Sequence, residues 1–340
     1  MRTAPTLSIP YKEAFDMRKF SVRLLVVLLA ALALAACHKE DKQEQLATAS
    51  KTPQAAVQSL IQDLKAVDLD QLAQHAMPPD AYQQLRADWG KDRDKALAEI
   101  TDADRARFKK QMQEFTEPDA KKKLFAKLQP TLENWETKGK QRLPMMVGIF
   151  RIMAGTKITQ AKNMSAEQKS QARGVLDALA TWAQNTDWGD RAKAKQAVGI
   201  VVDTARALDL KSLDQAYSLT YEQAMQRYAT AWKGAEQLLE VYGLSVNTIL
   251  DSAKVKTLEQ KGDTATVEVD YTILGKPMTS NLDMVRKDKR WYLSDVIKSW
   301  QKRQARLAHA GSAASTASVA PAASAPAAAA SAPAAGATTH

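Results

Sequence analysis

The chain changes regime once along its length, from a helical to a strand-like spacing of apolar residues. From Pro53 to about residue 252 apolar side chains recur every three or four positions, which places them on one face of an α-helix. Ala56, Val57, Leu60, Ile61 and Leu64 form the first such stripe, and Pro53 suits a first helical turn. Pro78-Pro79 interrupts it, and the next helix is expected from Asp80 through Trp89. Thr101-Asp102-Ala103-Asp104 predicts the start of a helix carrying Phe108, Met112 and Phe115. Thr116-Glu117-Pro118-Asp119 predicts another, with Leu124, Leu128, Leu132 and Trp135. Leu143 to Met153 is the most apolar stretch of this region. It encloses Arg151, a charge expected to snorkel or to pair. Ser165-Ala166-Glu167-Gln168 reads as a capping box leading into Val175, Leu176, Leu179 and Trp182. Asp190 is placed as the cap of a helix ending near Leu208. The clearest helix starts at Thr220. Tyr221, Met225, Tyr228, Trp232, Ala235, Leu239 and Tyr242 alternate steps of four and three, and Gly243 stands where a terminating glycine belongs.

After residue 253 the period falls to two. Ala265, Val267, Val269, Tyr271 and Ile273 alternate with polar neighbours, the pattern of a half-buried antiparallel strand. Lys261-Gly262-Asp263 reads as the turn before it and Gly275-Lys276 as the turn after it. Met278, Ser280, Leu282 and Met284 form a partner strand, and Asp288-Lys289 turns into Arg290–Leu293. Val255 and Leu258 precede them as a further strand. Asp295 starts a last helix with Val296, Ile297 and Trp300. The expected fold is therefore α+β, predominantly α-helical, with a C-terminal antiparallel β-meander of three to four strands and a final helix.

Two stretches, 55–89 and 196–232, resemble each other. Ala66-Val67-Asp68-Leu69 matches Ala207-Leu208-Asp209-Leu210 at an offset of 141, as do Leu72 and Gln74 with Leu213 and Gln215. With two residues inserted, Ala81, Gln83 and Trp89 match Ala224, Gln226 and Trp232. An ancient helical repeat would explain this, with a pair of hairpins facing one another across a groove. Coincidence in Ala-rich helices is the alternative.

The termini are compositionally distinct. Arg18, Lys19 and Arg23 precede a 13-residue apolar run from Leu24 to Ala36, which ends at Cys37. A basic segment followed by so short an apolar stretch is the pattern of a secretory signal rather than of a membrane span. Cys37 is the only cysteine of 340 residues, so an intrachain disulfide and a Cys-based metal site are excluded. Residues 38–52 are polar and aperiodic, a tether. Residues 311–340 are almost wholly Ala, Ser, Pro, Gly and Thr, a composition unable to bury enough surface to order itself. The organisation expected is a leader at 1–36, a lipidated Cys and tether at 37–52, a helical region at 53–252, the meander with its helix at 253–310, and a disordered tail at 311–340. Met17 is an alternative start.

Leu34-Ala35-Ala36-Cys37 resembles the lipobox of bacterial lipoproteins. The resemblance implies cleavage between Ala36 and Cys37 and acylation of Cys37, and so attachment to a membrane through several acyl chains. His38 rather than Asp follows the cysteine, which by the same resemblance directs the protein to the periplasmic face of the outer membrane. Gly262-Asp263-Thr264-Ala265-Thr266-Val267 with Arg290-Trp291-Tyr292 also looks like the end of small NTF2- or cystatin-like domains, over about 45 residues.

The net charge is +10, and the leader accounts for +3 of it, with five Lys/Arg against two Asp/Glu. The remaining excess suits anionic lipid or cell-wall polymer, and its lack of interleaved aromatics argues against nucleic acid. Of the four histidines His38 lies in the tether, His75 in a loop, His309 near the end of the last helix and His340 in the tail. They suggest neither a metal site nor a relay. No cofactor is implied. Asp187-Trp188-Gly189-Asp190 offers two carboxylates and an aromatic to a sugar, or simply a turn and a helix cap. Tyr221, Tyr228, Trp232 and Tyr242 either line an apolar ligand pocket or belong to the core. The function expected is non-enzymatic binding or scaffolding in the cell envelope, with an envelope protein or peptidoglycan as partner. The alternatives are a carrier of an apolar ligand between sheet and helices, and a cell-wall hydrolase.

Overall fold

The computed structural model describes residues 50–317, apart from 92 and 163. The leader, Ala36, Cys37, most of the tether and the tail beyond 317 lie outside the described residues. The period-two region forms four antiparallel strands in chain order: β1 (Lys254–Lys261), β2 (Thr264–Ile273), β3 (Lys276–Lys287) and β4 (Arg290–Leu293). Two-residue turns join them. Leu274-Gly275 (φ +52° and +78°) and Asp288-Lys289 (φ +51° and +63°) are left-handed at both central positions, the geometry that matches hairpin twist. The second turn is thus Leu274-Gly275 rather than Gly275-Lys276, because Lys276 already pairs with Ile273. In β1 the register slips between Thr257 and Glu259, a bulge that leaves the intervening Leu258 about half exposed. Of the two apolar residues expected to support this strand, only Val255 packs on the core.

One face of the sheet is dry. Ala265, Val267, Val269, Tyr271 and Ile273 of β2 are buried, with Ser280, Leu282 and Met284 opposite them on β3. Three helices from distant parts of the chain cover that face. The first, α1 (Pro53–Ala66), lays Val57, Leu60, Ile61 and Leu64 against it, and Thr52 caps the helix by accepting from the Ala55 amide at 3.1 Å. Below it in chain order run α2 (Leu69–Ala76), α3 (Pro79–Asp88), α4 (Arg93–Ala98), α5 (Asp102–Thr116), α6 (Ala120–Asn134) and α7 (Lys140–Gln160), a π-helical turn at Trp135–Gly139 joining the last two. Next come α8 (Ala166–Asn185), α9 (Arg191–Leu208), α10 (Leu213–Ser218), α11 (Tyr221–Val241) and α12 (Val246–Ser252). The second cover is α12, through Ile249 and Leu250. The third is α8, through Val175 and Ala178. At Gly174 the helix backbone runs close to the end of the Met278 side chain of β3. Burying each large apolar side chain here contributes about 1.5–3 kcal/mol. The helical region 53–252 and the meander fall within one compact unit, and the sheet's core draws on α1, α8 and α12. Even the last tether residues belong to it: Ser50 is buried, and its carbonyl accepts from the Trp291 amide at 3.1 Å.

The two similar stretches do share their local structure. In each, a long helix ends on a left-handed residue (Val67, φ +54°; Asp209, φ +47°). A capped short helix follows, Asp68 accepting from Gln71 and Ser212 from Gln215, both at 3.0 Å, and a longer helix comes after. Their surroundings differ. The sheet offers one face, and α1 takes it. Its counterpart α9 packs on α5, α6 and α11 instead. Rather than facing across a groove, the two halves meet directly, α2 packing on α11 and Arg86 of α3 pairing with Glu222 of α11.

The final helix α13 (Ser294–Ala317) runs seven residues into the stretch read as tail, as alanine's helix preference favours. The compact unit ends at Ile297, and the chain from Lys298 forms a unit of its own. Among the described residues, no helix is long and apolar enough to cross a membrane.

One polar pair sits in the core. His75, expected in a loop, is instead in the last turn of α2. It is buried with Asp63 of α1, Nδ1 to carboxylate 2.5 Å. Burial pushes the Asp63 carboxyl up, and the bond to His75 partly opposes this. Removing one partner strands the other in a dry site. Asp63→Ala should therefore cost about 3–5 kcal/mol in urea unfolding, whereas Lys261→Ala, in an exposed pair with Glu259, should change little.

Candidate functional site

The aromatic stripe of α11 does not line one pocket. Its members point to four different surroundings. Tyr228 is about half exposed. Trp232 donates to Glu236 on its own helix at 2.7 Å. Tyr221 is buried at the N-terminal end of α11, and Tyr242 caps the other end. At 1.5 Å per residue the stripe from Tyr221 to Tyr242 is about 31 Å long, so it meets several neighbours in turn.

Tyr221 joins a polar aromatic cluster with the first similar stretch. Tyr82 and Trp89 stand edge-on to its ring, at centroid distances of 6.2 and 5.5 Å. The Arg86 guanidinium lies 5.2 Å from the Tyr221 centroid and 5.7 Å from that of Tyr82, and pairs with Glu222. Tyr82 donates to Asp70 at 2.7 Å. The indole of Trp89 and the guanidinium of Arg93 both donate to the Leu219 carbonyl, at 3.0 and 3.1 Å. The chain's own Arg86 thus fills the space over these rings, which fits a seam between α3 and α11.

Tyr242 belongs to a second cluster. Trp188 packs 4.9 Å from Tyr242 and 5.3 Å from Trp182, and the Trp182 indole donates to the Tyr242 carbonyl at 2.8 Å. This fixes the Asp187–Asp190 loop. Both of its carboxylates are engaged locally. Asp190 caps α9, accepting from Ala192 at 2.8 Å and Lys193 at 3.0 Å, and the Lys193 amide holds its carboxyl below the usual range. Asp187 accepts from the Gly189 amide at 3.1 Å and faces Lys140 at 3.5 Å. The loop is a turn and a helix cap.

Beside Tyr242 lies an open apolar groove of about 310 Å³. Phe115 of α5, Leu124 and Leu128 of α6, and Ala197, Val198 and Val201 of α9 line it with Tyr242. The carrier reading placed its pocket between sheet and helices; this groove lies among helices. Only Tyr242 of the four proposed ligand-binding residues reaches it. The others come from stripes that sequence reading assigns to core, and nothing in their spacing distinguishes a groove wall from a packed one.

Among the described residues, most of the large apolar side chains in solvent lie on α7. Val147 is buried, and Leu143, Ala154, Gly155 and Ile158 are half-buried on the side facing α8. Met145, Met146, Ile149, Phe150, Ile152 and Met153 are all more than half exposed. Arg151 pairs with Asp177 of α8 at 2.7 Å, as a charge in that position was expected to do. The sequence signal was there: Leu143–Met153 is apolar all round, without the one-sided stripe of a helix with a single buried face.

Comparison with protein-family profiles, with curated proteins and with solved structures finds no match. Among the described residues, no cluster of three or more His, Cys, Asp or Glu is placed to hold a metal ion.

Burial raises the phenols of Tyr82, Tyr221, Tyr242, Tyr271 and Tyr292, most strongly Tyr221, where the nearby Asp70 charge adds to the effect. A phenol raised by folding contributes its full stability below the unfolded value of about 10 and loses it as pH climbs through the folded one. Urea stability should therefore hold to about pH 10 and then fall. Tyr221→Phe should make that fall shallower and cost no more than about 1 kcal/mol at neutral pH.

Proposed function

We propose that this chain is a lipid-anchored cell-envelope protein with a non-enzymatic binding or scaffolding role. The observation that carries the binding reading is the α7 face: six large apolar side chains in solvent on one rigid helix. Soluble proteins rarely leave such a patch uncovered unless it meets something, and methionine-rich surfaces adapt to what they meet. The anchoring reading rests on the run from Leu24 to Cys37 and on the position of the only thiol. Acylated at Cys37, the chain would hold its folded unit near a membrane, where an exposed apolar face finds partners at high effective concentration. The test is fractionation of cells carrying Cys37→Ser. The variant should lose stable membrane attachment and leader cleavage together, and a variant still processed and fully membrane-bound would sink the anchoring reading.

The apolar groove beside Tyr242 favours a second reading, a carrier of an apolar ligand. Its apolar lining suits partial burial of a small hydrophobic molecule. Ala197→Trp would fill it. If the carrier reading holds, apolar ligand retained by the wild-type protein in native mass spectrometry should be absent from this variant, with the fold unchanged by circular dichroism.

A further inference from the structure

The identity of what meets α7 follows from the charges around it. From residue 137 to residue 166 the chain carries six Lys/Arg (Lys138, Lys140, Arg142, Arg151, Lys157 and Lys162) and no Asp or Glu. At 3.6 residues per turn the exposed apolar side chains span an arc of roughly 160°. Arg142 and Lys157 project within that same arc, one toward each end of the helix. Lys140 and Arg151 project from the side facing α8 and are neutralised there by Asp187 and Asp177. The outward face is therefore apolar in the middle, cationic at both ends, and free of acidic residues along its helix.

We propose that this face of α7 is an interfacial membrane-binding surface, lying in the plane of an anionic lipid bilayer. The proposal rests on the reading of α7 as a binding face and names its partner. Met145, Met146, Ile149, Phe150, Ile152 and Met153 enter the boundary between headgroups and acyl chains, as the apolar side of an in-plane helix does. Arg142 and Lys157 remain at headgroup level, where each basic residue adds attraction to anionic lipid. The helix lies on the bilayer and does not cross it: four cations interrupt its 21 residues, and no described helix meets the requirements of a span. A second copy of this face is the poorer occupant. A symmetric pairing would set cations against cations with no acid on α7 to offset them. Acylated Cys37 would hold the chain at the membrane, and this helix would add a second contact that fixes the orientation of the folded unit over the surface.

The test uses the mature chain from residue 38, which carries neither leader nor acyl group and retains the whole core from Ser50 onward. It should co-sediment with vesicles of phosphatidylglycerol and phosphatidylcholine, bind phosphatidylcholine alone more weakly, and lose affinity as salt rises. Phe150→Ser combined with Ile152→Ser should weaken binding about tenfold or more, with unchanged thermal unfolding because both side chains are exposed. Arg142→Gln with Lys157→Gln should remove the preference for anionic vesicles. Tryptophan at position 146 (Met146→Trp) should shift its emission to the blue on vesicle binding. No sedimentation with anionic vesicles, or binding indifferent to the α7 substitutions, overturns the proposal, as does a dimer in sedimentation velocity that Phe150→Ser dissociates. A photocrosslinker at Ile152 in cells separates the two levels of inference. Lipid adducts support the membrane surface. A specific protein adduct overturns it while leaving the binding face intact, and no adduct overturns both.

Discussion

A four-stranded sheet with one apolar face cannot stand in water uncovered, and the rest of this fold follows from how that face is closed. The strands occupy residues 254–293, yet the principal cover, α1, lies some two hundred positions earlier. Val57 and Ile61 of α1 and Val267 and Val269 of β2 are wholly buried in the same core. Everything between them must leave the sheet and return to it. It does so as a layer of helices that touches the sheet again through α8 and α12. The start of the described chain is bound by the same constraint, since the Ser50 carbonyl accepts from the Trp291 amide of β4.

This closure explains why two similar stretches adopt one local plan and two environments. The cap residues, the left-handed exits and the short central helices are local devices, and both copies have them. The sheet has room for one copy. Having lost that contact, α9 packs among α5, α6 and α11, and the apolar groove beside Tyr242 opens among α5, α6 and α9. Close packing resumes where residues permit it. A Cβ at Gly234 would collide with Thr204, so glycine sets the approach of α9 to α11.

The same geometry leaves α7 at the periphery. It continues from α6 through a π-helical turn and packs on α8 alone among the long helices, which suffices to bury one narrow stripe. Its remaining apolar residues have nothing left to cover. The Asp187–Asp190 loop differs: there both carboxylates are held by a cap, a turn and a lysine, whereas on α7 the side chains facing outward are without a use inside the fold. Functional meaning is better sought in the second kind of surface than in the first.

Local chemistry was legible from the residues alone. Period-two alternation gave β2, the capping boxes at Thr101, Ser165 and Thr220 opened helices where expected, and β4 begins and ends at Arg290 and Leu293. These depend on backbone groups and side chains within a few positions of each other, which a sequence displays directly. What only the tertiary structure decided is which apolar faces are covered. Leu258 turns outward because of a bulge, His75 turns inward to meet Asp63, and the four aromatics of α11 scatter to separate neighbours. Burial is a relation between distant segments, and hydropathy cannot say whether a partner exists. The Leu143–Met153 stretch shows this best: its composition predicts a helix that wants cover, and only the packed structure shows that the chain provides so little of it.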